Sequence, residues 1–155
     1  MKNRLIQIAA VAAMISGSLS GADAANSDKK KIHDVIENYE QVLNAGDVTG
    51  VVKLYTEDGV FMAQHSQSAV GIDAVKAAYE AVFEAIDLNI AFEIIEIEVV
   101  ADSWAFARTN SAGTTTINAT GDQVSEANQE LFVFQKTDDG KWKIARYGFS
   151  TTNPR

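Results

Sequence analysis

The hydrophobic periods along this chain predict an α+β fold, with helices first and a mainly antiparallel sheet after them. Three observations carry that prediction. Apolar residues recur at three- and four-residue steps in two segments before Leu88, and beyond it the period falls to two. Turn-forming clusters at Ala101-Asp102-Ser103, Asn118 to Asp122 and Asp138-Asp139-Gly140 cut the second half into strand-length pieces. Helices followed by consecutive strands give an α+β order, in contrast to the alternation of a parallel α/β sheet.

The first 24 residues read as a signal peptide and are set apart from the fold. Lys2 and Arg4 make a positive start, Leu5 to Ile15 is an apolar run broken by Gln7, and Ala22-Asp23-Ala24 supplies small residues around the expected cut. The apolar run is too short for a bilayer, which needs about 20 residues. No cysteine follows it to carry a lipid anchor. The expectation is therefore an exported protein, periplasmic or secreted, with one domain over residues 25–155. The whole chain has 13 basic and 21 acidic residues, a net charge of −8. Loss of Lys2, Arg4 and Asp23 makes the mature chain more acidic still. Such a field repels nucleic acid and anionic membrane, so neither is an expected partner.

After a polar lead-in at Asn26 to Lys31, the first helix is predicted from Ile32, Val35, Ile36, Tyr39, Val42 and Leu43, which share one face. Gly46 stands where a left-handed residue ends a helix, and Asp47 where a side chain caps the next one. A turn is predicted at Glu57-Asp58-Gly59, then a strand over Val60 to His65 with Phe61, Ala63 and His65 on one face. Gln64 to Val70 is a polar loop. Gly71 opens a third helix, striped by Ile72, Val75, Tyr79, Val82, Phe83 and Ile86.

In the strand that follows, Phe92 and Ile94 have the opposite parity to Ile95, Ile97 and Val99, which predicts a bulge near Ile94-Ile95. Strands over Trp104 to Ile117 and Val124 to Lys136 come next, and a hairpin leads to the last one. There Leu131 and Val133 oppose Phe132 and Phe134, and Trp142 and Ile144 oppose Ala145, Tyr147 and Phe149. Both faces read as apolar. The helices suffice for one of them, so a second copy is expected on the other, giving a homodimer through the sheet.

Several chemistries have no residues to perform them. His33 and His65 are the only histidines and cysteine is absent, so no thiol nucleophile and no clustered histidine metal site is expected. No glycine-rich phosphate loop follows a strand, and no nucleophile elbow is present. Neither a metal nor a cofactor is expected.

The run Tyr39, Leu43-Asn44-Ala45-Gly46-Asp47, Gly50, Val52, Leu54, Asp58 and Val60, followed by Gly71 and more weakly by Phe132 and Phe134, resembles ketosteroid isomerases. More broadly it resembles the SnoaL-like and NTF2-like superfamily. The closing hairpin Asp139-Gly140-Lys141-Trp142-Lys143-Ile144-Ala145-Arg146-Tyr147 is similar to that of the SgcJ/EcaC group. The resemblance implies an NTF2-like cone, three helices closing a curved sheet into a pocket. It settles the activity less well, because one such fold hosts several chemistries and non-enzymes.

In the isomerases a carboxylate base moves a proton next to a ketone, while a tyrosine and a protonated acid donate to the developing enolate. The resemblance places the tyrosine at Tyr39 and the acid at Glu130. It places the base at Ala63, which has no chemistry. His65, two residues on, is the candidate replacement base. Asn128, Glu130, Phe132 and Phe134 alternate onto one strand face, where burial would raise the Glu130 pKa. The expected pocket wall is Phe61, Ala63, Asn128, Phe132 and Tyr147, while Tyr55 and Tyr79 suit packing. The resulting expectation is a cofactor-free pocket for a small, mostly apolar oxygenated molecule. It would act by acid-base chemistry, or bind its ligand without turnover as a binding or scaffold protein.

Overall fold

The computed structural model describes residues 17–153. The positive start and the whole apolar run of the expected signal peptide lie outside them. Residues 17–24 belong to the first helix. Among the described residues no helix is long and apolar enough to cross a membrane.

Helix α1 spans Gly17–Asn44, so the stretch expected as a polar lead-in is helical. The reason is tertiary: Asp28 is buried, and its carboxylate accepts from Lys136 at 2.6 Å and from Lys31 at 3.3 Å. Burial pushes the Asp28 pKa up, but the donors around it, Lys136 foremost, more than offset this and hold it below its usual range. At the other end Asp47 N–H donates to Val42 and Gly46 N–H to Leu43, with Gly46 at φ +62°. These are the two bonds of a Schellman stop. Asp47 then caps α2 (Val48–Leu54) by accepting from Gly50 N–H at 2.9 Å.

Strand β1 (Tyr55–Met62) follows directly. The expected turn at Glu57-Asp58-Gly59 lies within β1 as an irregularity, because register against the last strand slips between Tyr55 and Val60. The strand also stops sooner than alternation predicts, at Met62. The short β2 (Ala69–Val70) pairs with β1 and leads into α3 (Ile72–Ala85), which buries Val75 and Tyr79. Then come β3 (Ile86–Ala101), β4 (Trp104–Ile117), β5 (Gln123–Lys136) and β6 (Trp142–Thr151).

The sheet order is β2-β1-β6-β5-β4-β3, antiparallel except for the β1–β6 pair. The bulge foreseen near Ile94-Ile95 is present as a register shift between Ile94 and Glu96. The outermost strand β3 is sealed by polar side chains of α1. Asn44 donates to the Ile90 carbonyl at 2.7 Å and accepts from its N–H at 2.9 Å, and Glu40 accepts from Phe92 N–H at 2.7 Å. These contacts occupy edge groups that would otherwise invite another strand.

The face assignment of β6 needs correction. Register against β5 shifts from Val133↔Arg146 to Phe134↔Ile144, leaving Ala145 as the extra residue of a bulge. Past a bulge parity inverts, so Trp142, Ile144 and Tyr147 are all buried in the same core. The last strand is therefore apolar inside only. The exposed apolar groups of the outer face come from neighbouring strands, with Leu131 at 48%, Met62 at 40% and Trp104 at 36% exposure.

Candidate functional site

The helices and the sheet meet around a cavity of about 130 Å³ walled chiefly by aromatic and aliphatic side chains, among them Phe61, Leu88, Ile90 and Phe149. Two groups of polar side chains stand in or beside this wall.

The first group is a chain of tyrosine hydroxyls. Tyr39 comes from the buried face of α1, Tyr79 from α3, and Tyr55 from the first residue of β1; each is 1% exposed. The Tyr39 hydroxyl shares a short hydrogen bond with that of Tyr79, which in turn lies 3.0 Å from that of Tyr55. Burial pushes the pKa of all three upward, so they are neutral hydroxyls across the physiological range. Three hydroxyls own three protons, and two hydrogen bonds use two of them. One proton is left over, and Tyr39 and Tyr79 both line the cavity.

The second group lies on the inner faces of β4 and β5. Pairing sets Thr109 opposite Glu130 and Ser111 opposite Asn128, so both hydroxyls come within reach of the Glu130 carboxyl. Thr109 Oγ1 donates to it at 2.5 Å, and Ser111 Oγ donates to its other oxygen. Burial raises the Glu130 pKa; these two donors oppose the rise, and the charge of Glu126 adds to it. Asn128 Nδ2 donates to Glu126 Oε1 at 2.8 Å, while Thr115 donates to Glu126 Oε2 at 3.1 Å. Ser111, Glu126 and Asn128 line the cavity.

Of the residues singled out from the sequence, Tyr39, Phe61, Ala63, Asn128 and Tyr147 are brought together around this space. Glu130 lies on the same sheet face and is 5% exposed, but its carboxyl is held by Thr109 and Ser111, and Tyr39 is held by Tyr79. No hydrogen bond joins Tyr39 to Glu130. Phe132 is fully buried beneath the site, its ring 4.3 Å from Tyr147 and 5.4 Å from Tyr39 between centroids. His65 is not on the face of Ala63. The strand has ended, and His65 sits exposed in a turn at φ +60°, away from the cavity wall.

Six participants were not foreseen: Tyr55, Tyr79, Glu126 and the three hydroxyl donors Thr109, Ser111 and Thr115. Tyr55 and Tyr79 were expected as packing residues, and an apolar stripe offers no sign of where a hydroxyl points. Glu126 did have a signal, since the alternation that carries Asn128 and Glu130 reaches it too. His33, Asp34 and Glu37 form the one close group of three metal-capable side chains among the described residues. All three are exposed on α1, with nothing around them built as a metal centre.

A family model for the SnoaL-like domain matches residues 36–146. No curated protein matches the chain. Among solved structures, a ketosteroid isomerase-like protein from Erwinia carotovora atroseptica is 36% identical with a TM-score of 0.80, the match covering 83% of this chain and 99% of that one. A candidate scytalone dehydratase from Novosphingobium aromaticivorans matches at 20% identity and a TM-score of 0.75, over 85% and 89% of the two chains. An NTF2-like superfamily protein from Salmonella enterica matches at 16% identity and a TM-score of 0.74, over 83% and 94%. At such identities the last two speak for the fold alone. The domain match and the 36% relative agree: the chain belongs to the SnoaL-like family, and its helix-closed mixed sheet is the fold it shares with the NTF2-like protein.

Proposed function

We propose that this is an exported SnoaL-like protein that binds a small, largely apolar oxygenated molecule, its oxygen accepting the spare proton of the tyrosine chain. The observation that carries this reading is the Tyr39–Tyr79–Tyr55 hydroxyl chain ending at an aromatic-walled cavity. A neutral donor in a dry site favours an oxygen that gains negative charge, which is the requirement of isomerase- or dehydratase-type proton transfer without a cofactor.

Binding without turnover is the second reading, and a specific observation favours it: the position of the isomerase base is Ala63, and His65 is off the wall. A panel of enones, epoxides and hydroxylated ketones separates the two. Consumption of any of them, lost in Tyr39→Phe, supports an enzyme; saturable binding with no product over days supports a binding protein. If no member of the panel perturbs the cavity residues in NMR spectra, the cavity is not a ligand site.

The outer sheet face is proposed to pair with a second copy through Leu131, Trp104 and Met62, its exposed apolar groups. Sedimentation should show a dimer at micromolar concentration and a monomer for Leu131→Arg. A monomeric wild-type chain refutes the pairing. Export is read from the charged start and apolar run alone, and retention of residues 1–24 by protein recovered from the periplasm or medium would refute cleavage.

A further inference from the structure

The part of the cavity wall formed by β5 accepts hydrogen bonds, in contrast to the tyrosines, and this constrains what occupies it. The orientation of the Asn128 amide is fixed by its neighbour: the group 2.8 Å from Glu126 Oε1 must be Nδ2, because an ionised carboxylate only accepts. Oδ1 therefore faces away from Glu126. It is buried out of reach of a water-sized group, so the amide's part in the site is to hold Glu126 through Nδ2. Beside it Glu126 receives one hydrogen bond on each oxygen, from Asn128 and Thr115, which fixes the carboxylate and leaves lone pairs on both. Ser111 has spent its proton on Glu130 and adds no donor.

Size and charge narrow the occupant further. About 130 Å³ is close to the ~150 Å³ of an engineered protein cavity that holds one benzene ring. No lysine, arginine or histidine lines the space, so an anion would meet Glu126 with no counter-charge. Asn128 and Phe132 are four residues apart on β5, roughly 13 Å of strand. Tyr39 packs edge-on against Phe132, so the donor and acceptor groups occupy different stations of the wall.

We infer that the ligand is an uncharged single-ring molecule carrying two oxygens: a carbonyl-type oxygen for the tyrosine hydroxyls, and a hydroxyl that donates its one proton to Glu126, the carboxylate that Asn128 holds in place. The inference rests on the ligand-binding reading above and adds the ring count, the charge and the second polar group. Glu126 is thereby a binding residue of the site, on a different wall from Ala63.

Calorimetric titration of the full chain, slightly below neutral pH, tests it with matched probes. 4-Hydroxyacetophenone should bind about tenfold or more tightly than 4-fluoroacetophenone, which has nearly the same shape and no proton to donate. 4-Hydroxybenzoate should not bind. In Glu126→Ala, with folding verified by circular dichroism, the preference for hydroxyl over fluorine should shrink toward one. If that variant does not fold, Asn128→Leu serves the same comparison, and the wild-type ratio is decisive without either. Equal affinity for the two ketones, a preference that survives the substitution, or tighter binding of 6-hydroxy-2-acetonaphthone overturns the inference while leaving a ligand site in place. Silence of the cavity residues toward every probe, large or small, instead removes the underlying reading.

Discussion

The tyrosine station and the β5 station of the cavity solve the same problem, keeping polar groups in an apolar hollow, by opposite chemistry. Tyr39, Tyr79 and Tyr55 come from three separate elements and satisfy one another with neutral hydroxyls. Glu130, Asn128 and Glu126 come from one strand and bring two carboxyls, which need donors from Thr109, Ser111 and Thr115 on the strand beside it. The first arrangement has a proton to spare and the second has an acceptor to spare. A pocket built this way is polarised end to end, which is more informative about its ligand than the presence of polar groups alone.

Tyr79→Phe breaks the first station most severely, because Tyr79 is the middle hydroxyl. The change strands the hydroxyls of both Tyr39 and Tyr55 in a fully buried site, and each unmet group costs about 1–3 kcal/mol. Urea denaturation should report a loss of about 3 kcal/mol, against roughly 1 kcal/mol for Tyr39→Phe, which leaves the Tyr79–Tyr55 bond intact. Equal losses would mean that the hydroxyls act independently and are not a chain.

Ser111→Ala addresses the second station and should cost less, about 1–2 kcal/mol, since Thr109 still donates to the Glu130 carboxyl. It should also move the Glu130 pKa further upward, because one of the two donors that oppose burial is gone. NMR titration of the Glu130 side chain would show it. A downward movement would mean that Ser111 is not that donor in solution.

The stations differ as much in how far they could be read in advance. The helix stop at Gly46, the cap at Asp47 and the bulge by Ile94 follow from local chemistry, and local chemistry is visible in a sequence. Alternation along β5 puts Asn128, Glu130, Phe132 and Phe134 on one face, and the pairing with β4 keeps them there. The tyrosine chain was legible only at Tyr39, through a family resemblance. That three hydroxyls from α1, α3 and β1 meet is a fact of packing, and no periodicity encodes it. His65 and Ala145 show the other limit: parity counts hold while a strand continues straight, and a premature end or one extra residue reassigns everything beyond it. Asp28 was hidden for a related reason, since its partner Lys136 is on β5, far along the chain.

The smallest effect expected is also the one that isolates the charge on the strand side. The Glu130 pKa is raised by burial in the fold, with Glu126 adding to the rise. At low pH the carboxyl is protonated in the folded and the unfolded chain alike, and its titration adds no pH dependence. As pH climbs past the ordinary carboxylate range the unfolded chain releases this proton first, and the folded chain keeps it. Folding then becomes less favourable with each increment of pH, until the folded carboxyl ionises as well and the slope from this group ends. Glu130→Gln removes the titration and keeps both contacts: its carbonyl oxygen accepts from one of the two hydroxyls, and its amide nitrogen donates to the other. Its stability should therefore fall less than the wild type's between the ordinary carboxylate range and the raised value. A parallel pair of stability curves over that window would show that the burial of Glu130 is relieved in solution by water, and that the acceptor end of the cavity is wetter than its walls imply.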